Sequence, residues 1–130
     1  MDESRNPWFK PAYNDYRPDP TPEKTIHKDR NHLSFIAIGG TWCPDTHHLL
    51  PGFVKSMDQA GIAPSKVNFI GVDHDKLDSA GQHPYGATGI PVFIVNYDGK
   101  EIGRIIESVK KNIETDIADI ITGYDEKLHP

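Results

Sequence analysis

Thiols are scarce in this chain: its 130 residues contain one cysteine, Cys43. No internal disulfide can form, and no metal site can draw two thiolates from one copy. Long apolar runs are missing too, and nothing approaches the roughly 18 residues a membrane helix needs. The opening Met1-Asp2-Glu3-Ser4-Arg5 has no apolar signal-peptide core. As written, the chain reads as soluble and cytoplasmic; with a leader removed it would be periplasmic or secreted, and the residues do not choose. Positive charge is neither abundant nor clustered: 14 Lys and Arg stand against 19 Asp and Glu, for a net charge of -5. Nucleic acid and membrane surfaces are therefore not expected partners. Gly39-Gly40-Thr41 lacks the lysine and spacing of a phosphate loop. No serine stands at a telling distance from a histidine, so a hydrolase triad has no support. No bound cofactor is expected.

What is present fits one domain. Residues 1–24 differ from the rest. They hold five of the eleven prolines and four aromatics, Trp8, Phe9, Tyr13 and Tyr16. The prolines break any regular period, which predicts an extended arm, while the aromatics suggest docking on the body or on a partner. Residues 25–130 form the expected domain. Thr21-Pro22 predicts a helix start, with Thr21 as cap and an end near Asn31. Leu33 to Ile38 is an apolar run before Gly39-Gly40 and predicts a strand buried on both faces. Leu49, Leu50, Phe53, Val54 and Met57 recur at helical spacing and predict a helix from about Pro44 to Ala60, kinked at Pro51 and stopped by Gly61. Lys66 to Val72 predicts a second strand, Asp73 the cap of a short helix over 74–81, and Pro91 to Tyr97 a third strand. Asp98-Gly99 is a hairpin signal, with Glu101 to Ile106 returning. Val109, Ile113, Ile117, Ile120 and Ile121 predict a closing helix with Gly123 past its end. Strands linked through helices should be parallel and the last pair antiparallel. The expected fold is a mixed sheet of about four to five strands in an α/β/α sandwich.

Cys43 falls between the first strand and the long helix, at the edge of a parallel sheet where ligands usually bind. A helix N-terminus offers unpaired N–H groups and the positive end of the macrodipole, and both favour a thiolate. Asp45 lies in the first turn, where it suits the dipole, repels a nearby thiolate, or simply faces water. His47, four residues after Cys43, can share its helix face. A protonated His47 would support the thiolate, and Cys43 with His47 is also a half-site for a soft metal. His48 adds a third candidate ligand but points to another face. The plainer reading makes both histidines polar surface positions. Asp73-His74-Asp75 reads as a cap with solvated charges.

Trp42-Cys43-Pro44-Asp45-Thr46 resembles the W-C-x-x-C active site of thioredoxins. Pro51 stands where those proteins kink the helix. Gly89-Ile90-Pro91-Val92 is similar to their cis-proline loop, and Tyr85-Gly86-Ala87-Thr88 precedes it as it does there. The resemblance spans about residues 32–121. It implies a thioredoxin-like fold, a nucleophilic Cys43 shielded by Trp42, and a cis Ile90–Pro91 peptide. Gly89, Ile90 and Pro91 would then hold a substrate strand through the Ile90 backbone. Two departures matter. Thr46 replaces the second cysteine, and Ala37 replaces the buried carboxylate six residues before the nucleophile. What remains resembles single-cysteine relatives, in which an external thiol such as glutathione resolves the mixed disulfide. The Thr46 hydroxyl would donate a hydrogen bond to the Cys43 thiolate.

Three functions follow. The first is thiol–disulfide exchange by a monothiol oxidoreductase, with a disulfide-bearing or thiol-modified protein or glutathione as partner. A Cys43–Cys43 homodimer would form on oxidation. The second is a redox-inactive binding module of the same fold, in which the proline loop or the aromatic arm binds a partner. The third is soft-metal handling by Cys43 and His47.

Overall fold

A computed structural model describes residues 5–128, so the outer ends of the two expected segments, 1–4 and 129–130, lie outside the described residues. Four helices and four strands run in the order α1 (Phe9–Asp15), α2 (Pro20–Lys28), β1 (Leu33–Gly39), α3 (Pro44–Gln59), β2 (Val67–Gly71), β3 (Val92–Tyr97), β4 (Lys100–Ile106) and α4 (Ile113–Leu128). The strands form one mixed sheet in the order β2-β1-β3-β4.

β1 is central because its side chains are apolar on both faces and can be covered on both. Leu33, Phe35 and Ala37 join the cluster that packs Phe93 and Val95 against Leu50, Phe53 and Met57 of α3 and Ile113, Ile117 and Ile121 of α4. Ile36 and Ile38 join the opposite cluster, with Val92, Ile94, Val72, Ala87, Ile90 and Cys43. Phe53 links the layers, its ring centroid 5.9 Å from Phe35 and 4.7 Å from Phe93. Burying an aromatic or branched side chain contributes roughly 1.5–3 kcal/mol.

β1 and β2 are parallel, joined through α3. β3 was expected to be parallel as well, through a helix over 74–81, but it runs antiparallel to β1, with Leu33 opposite Tyr97 and Ile38 opposite Val92. The helix is absent because its would-be cap folds a loop instead. Asp73 Oδ1 accepts from the N–H groups of both Asp75 and Leu77, and Asp78 Oδ1 repeats the pattern with Ala80 and Gln82. Short aspartate side chains that bond nearby backbone compete with the helical ladder. The segment between β2 and β3, with one 3-10 turn at Pro84–Gly86, covers the second face of the sheet.

The ends also differ from expectation. Residues 9–15 are helical rather than extended. α2 starts two residues earlier, capped by Asp19, whose side chain accepts from Thr21 N–H, with Pro20 at its first position; it runs through the expected boundary at 24/25. α4 begins after Val109, with Asn112 Oδ1 accepting from Thr115 N–H at 2.8 Å, and continues through Gly123 to Leu128. Glycine inside a helix costs about 1 kcal/mol relative to alanine, and the packing of Ile117 and Ile121 outweighs that.

Candidate functional site

The site forms where β1 ends and α3 begins. Cys43 is the N-cap residue of α3, with Pro44 at its first position. Its N–H donates to Gly40 O at 2.9 Å, and its carbonyl accepts the first helical bond, from His47 N–H at 3.0 Å. The residue is 8 % exposed and packs in the cluster that holds Val72, Ala87 and Ile90. The Ile90–Pro91 peptide is cis.

Trp42 roofs the turn before Cys43. Its indole N–H donates to Val72 O at 3.0 Å, and its ring stacks on His74 at 3.9 Å with the Lys76 ammonium 5.8 Å from its centroid. A Cβ at Gly40 would lie 2.5 Å from this ring, so only glycine lets the indole lie on the backbone there. Thr46 is fully buried, and its hydroxyl accepts from Gly40 N–H at 3.2 Å. It makes no hydrogen bond to the Cys43 sulfur among the described residues; the expected bond gives way to closure of the Gly40–Cys43 turn.

Among the described residues the His47 ring makes no hydrogen bond to the Cys43 sulfur. That ring stacks on Trp8 at 4.0 Å and 18°, and its Nε2 bonds the carbonyl of Thr41. A carbonyl only accepts, so Nε2 carries a proton and is not available to a metal. Among the described residues no three His, Cys, Asp or Glu side chains come together to hold a metal ion, so the half-site of Cys43 and His47 gains no third ligand, and His48 is exposed. Asp45 is an exposed first-turn carboxylate. Gly89 lies beside the Glu107 carboxylate, and Glu107 donates its N–H to Pro91 O at 2.8 Å.

Three residues enter contacts to which no local sequence signal points. Trp8 reaches His47 across the fold; its only signal was being an aromatic in a proline-rich segment. The sequence predicts a solvated His74, and its ring stacks on Trp42. Glu114 is 1 % exposed: Oε1 accepts from the Tyr16 hydroxyl at 2.5 Å and Oε2 from Asp19 N–H at 2.6 Å. Burial, then the hydrogen bond to Glu114, raises the Tyr16 pKa well above its usual value. Burial, with the neighbouring Glu114 carboxylate, pushes Glu23 up to about 7.

No family model matches the chain. Thioredoxin H2 of Arabidopsis thaliana is 26% identical over 93 residues, which is 72% of this chain and 66% of that protein, just under two thirds of its length. A protein of unknown function from Pseudomonas aeruginosa superposes with a TM-score of 0.65 at 14% identity, covering 98% of this chain and 87% of that one. Thioredoxin of Fasciola hepatica gives a TM-score of 0.48 at 24% identity, covering 78% and 88%. The chain has an α/β fold built on one mixed four-stranded sheet, and over 72% of its length it is similar in sequence to a thioredoxin.

Proposed function

We propose that this protein performs thiol–disulfide exchange with Cys43 as its one nucleophile. The Cys43 thiolate attacks one sulfur of a disulfide or glutathionylated thiol. A Cys43 mixed disulfide forms, the old S–S bond breaks, and the other sulfur leaves as a thiolate that takes up a proton. An external thiol, glutathione being the simplest, then attacks the mixed disulfide and restores Cys43. With a glutathionylated thiol, one external glutathione is consumed, the substrate thiol is freed and one glutathione disulfide leaves; with a protein disulfide, a second glutathione attacks the released mixed disulfide to free the second thiol. The observation that carries this reading is the position of Cys43 as N-cap of α3, packed in one cluster with Ile90 of the proline loop. Thr46 holds the place of a second thiol and supplies none, which is why the resolving thiol comes from outside. Trp42 would shield the sulfur, and Gly89, Ile90 and Pro91 would hold the substrate strand.

Glutathione-dependent reduction of a glutathionylated peptide tests this. Wild-type protein is expected to turn over, and Cys43→Ser to fall to the uncatalysed rate. Equal rates for the two would sink the reading. Non-reducing electrophoresis of air-oxidised protein reads the Cys43–Cys43 dimer in the same samples. A second reading draws on the low exposure of Cys43: a binding module in which the thiol is inert. A Cys43 that resists alkylation until the protein unfolds would favour it.

A further inference from the structure

Trp8 stands 35 positions before Cys43 in sequence and touches its site through one intermediate. The Trp8 ring lies flat on His47, 4.0 Å between centroids. His47 grips the turn that carries Cys43 at two points. Its backbone N–H donates to Cys43 O at 3.0 Å, and its Nε2–H donates to Thr41 O. The first bond belongs to any helix start. The second needs the imidazole in one rotamer, and stacking between flat rings restricts it to that rotamer.

Trp8 is itself held, so it can hold something else. It meets Phe9 edge-on at 5.8 Å, and Phe9 stacks on Tyr13 at 6.0 Å. The Tyr13 hydroxyl donates to Asp58 Oδ2 at 2.6 Å, and the Lys55 ammonium donates to Asn14 O at 3.0 Å. Tyr16 lies on Gly52, where a Cβ would meet its ring at 2.9 Å, and its hydroxyl reaches Glu114. Residues 8–16 thus run along α3 from its N-terminal turn to Asp58, with a second anchor on α4.

We infer that Trp8 is a positioning residue for Cys43, acting through His47 on the Gly40–Trp42 turn. The N-terminal segment is then part of the site rather than a tail. This rests on the thiol-exchange reading above and deepens it. With the stack intact, the Thr41 carbonyl is pinned and Cys43 keeps its place as N-cap of α3. Without it, the imidazole samples other rotamers, Thr41 O returns to water, and the turn loosens.

The test is the second-order rate of Cys43 with glutathione disulfide, measured on the full chain. In that step the Cys43 thiolate bonds to one glutathione sulfur, the S–S bond breaks, and one glutathione leaves as the thiolate. Trp8→Ala is expected to slow the reaction about fivefold, the size of effect a lost aromatic pair supports. His47→Ala should slow it equally, and the double variant no further. Trp8→Phe, which still stacks, should come within about twofold of wild type. Trp8→Leu keeps apolar bulk without a flat ring and should behave as Trp8→Ala, so the test survives if the alanine variant does not fold. A Trp8→Ala or Trp8→Leu rate at or above wild type overturns the inference. So do effects that multiply in the double variant, or a Trp8→Phe as slow as Trp8→Leu. A wild-type Cys43 that fails to react removes the thiol-exchange reading itself, an outcome distinct from a reactive wild type matched by its Trp8 variants.

Discussion

Thr46 shows how much one side chain decides. The sequence puts a hydroxyl where a second thiol would stand and predicts that it donates to Cys43. In the fold it accepts from Gly40 N–H instead and closes the turn on which Trp42 lies. The γ-methyl and hydroxyl fill space beside Gly39, where a Cβ would lie 2.9 Å from Thr46 Cγ2. Thr46→Val keeps the shape and removes the acceptor, leaving the buried Gly40 N–H without a partner. An unfolding free energy lower by roughly 1–3 kcal/mol is expected from urea melts. An unchanged midpoint would mean that Gly40 finds water. That Thr46 lacks sulfur was legible in the sequence; where its oxygen points depends on a glycine six residues away.

Among elements, the contact between α2 and α4 joins groups that no local pattern pairs. Glu23 of α2 and Glu114 of α4 sit together, and Glu23 Oε1 is buried without a hydrogen-bond partner. Tyr16 and Asp19 N–H also face Glu114. With a folded pKa of about 7 against an ordinary 4.5, Glu23 binds its proton more tightly in the native state. Its contribution is therefore full below pH 4.5 and lost as pH rises towards 7. Glu23→Gln mimics the neutral form. It should flatten the fall in stability between pH 4.5 and 7 and raise stability at pH 8, as read by denaturant unfolding. A parallel, unshifted pH profile would disprove the assignment. The helix itself was legible from Thr21-Pro22, displaced by two residues because Asp19 is the better-placed cap. β3 shows the opposite case: its Pro91–Tyr97 pattern predicted a strand, and its direction did not follow, because direction depends on how residues 72–91 travel.

For the whole molecule, the N-terminal residues tie the helical layer together. They span α3 through Trp8, Tyr13 and Tyr16 and reach α4 at Glu114. Removal of residues 1–18 takes the tyrosine hydroxyl from a buried carboxylate and uncovers Gly52. A loss of about 3 kcal/mol is expected, from an unsatisfied buried group together with lost aromatic packing, lowering the melting temperature by roughly 10 °C. A shortened chain that melts with the full one would return these residues to the status of an appendage.

The sequence by itself determined the four strands, α3 and α4, and the place of Cys43 between a strand and a helix. Apolar runs, an Asp-Gly turn, an isoleucine ladder and a cysteine between strand and helix are signals written within a few residues of one another. Tertiary structure alone decided that Trp8 meets His47, that Tyr16 meets Glu114 98 positions away, and that β3 runs against β1. Those pairings depend on which surfaces remain to be buried once the elements exist. Burial is non-directional, so an aromatic in a proline-rich segment announces that it will pack, and only the folded chain specifies against what.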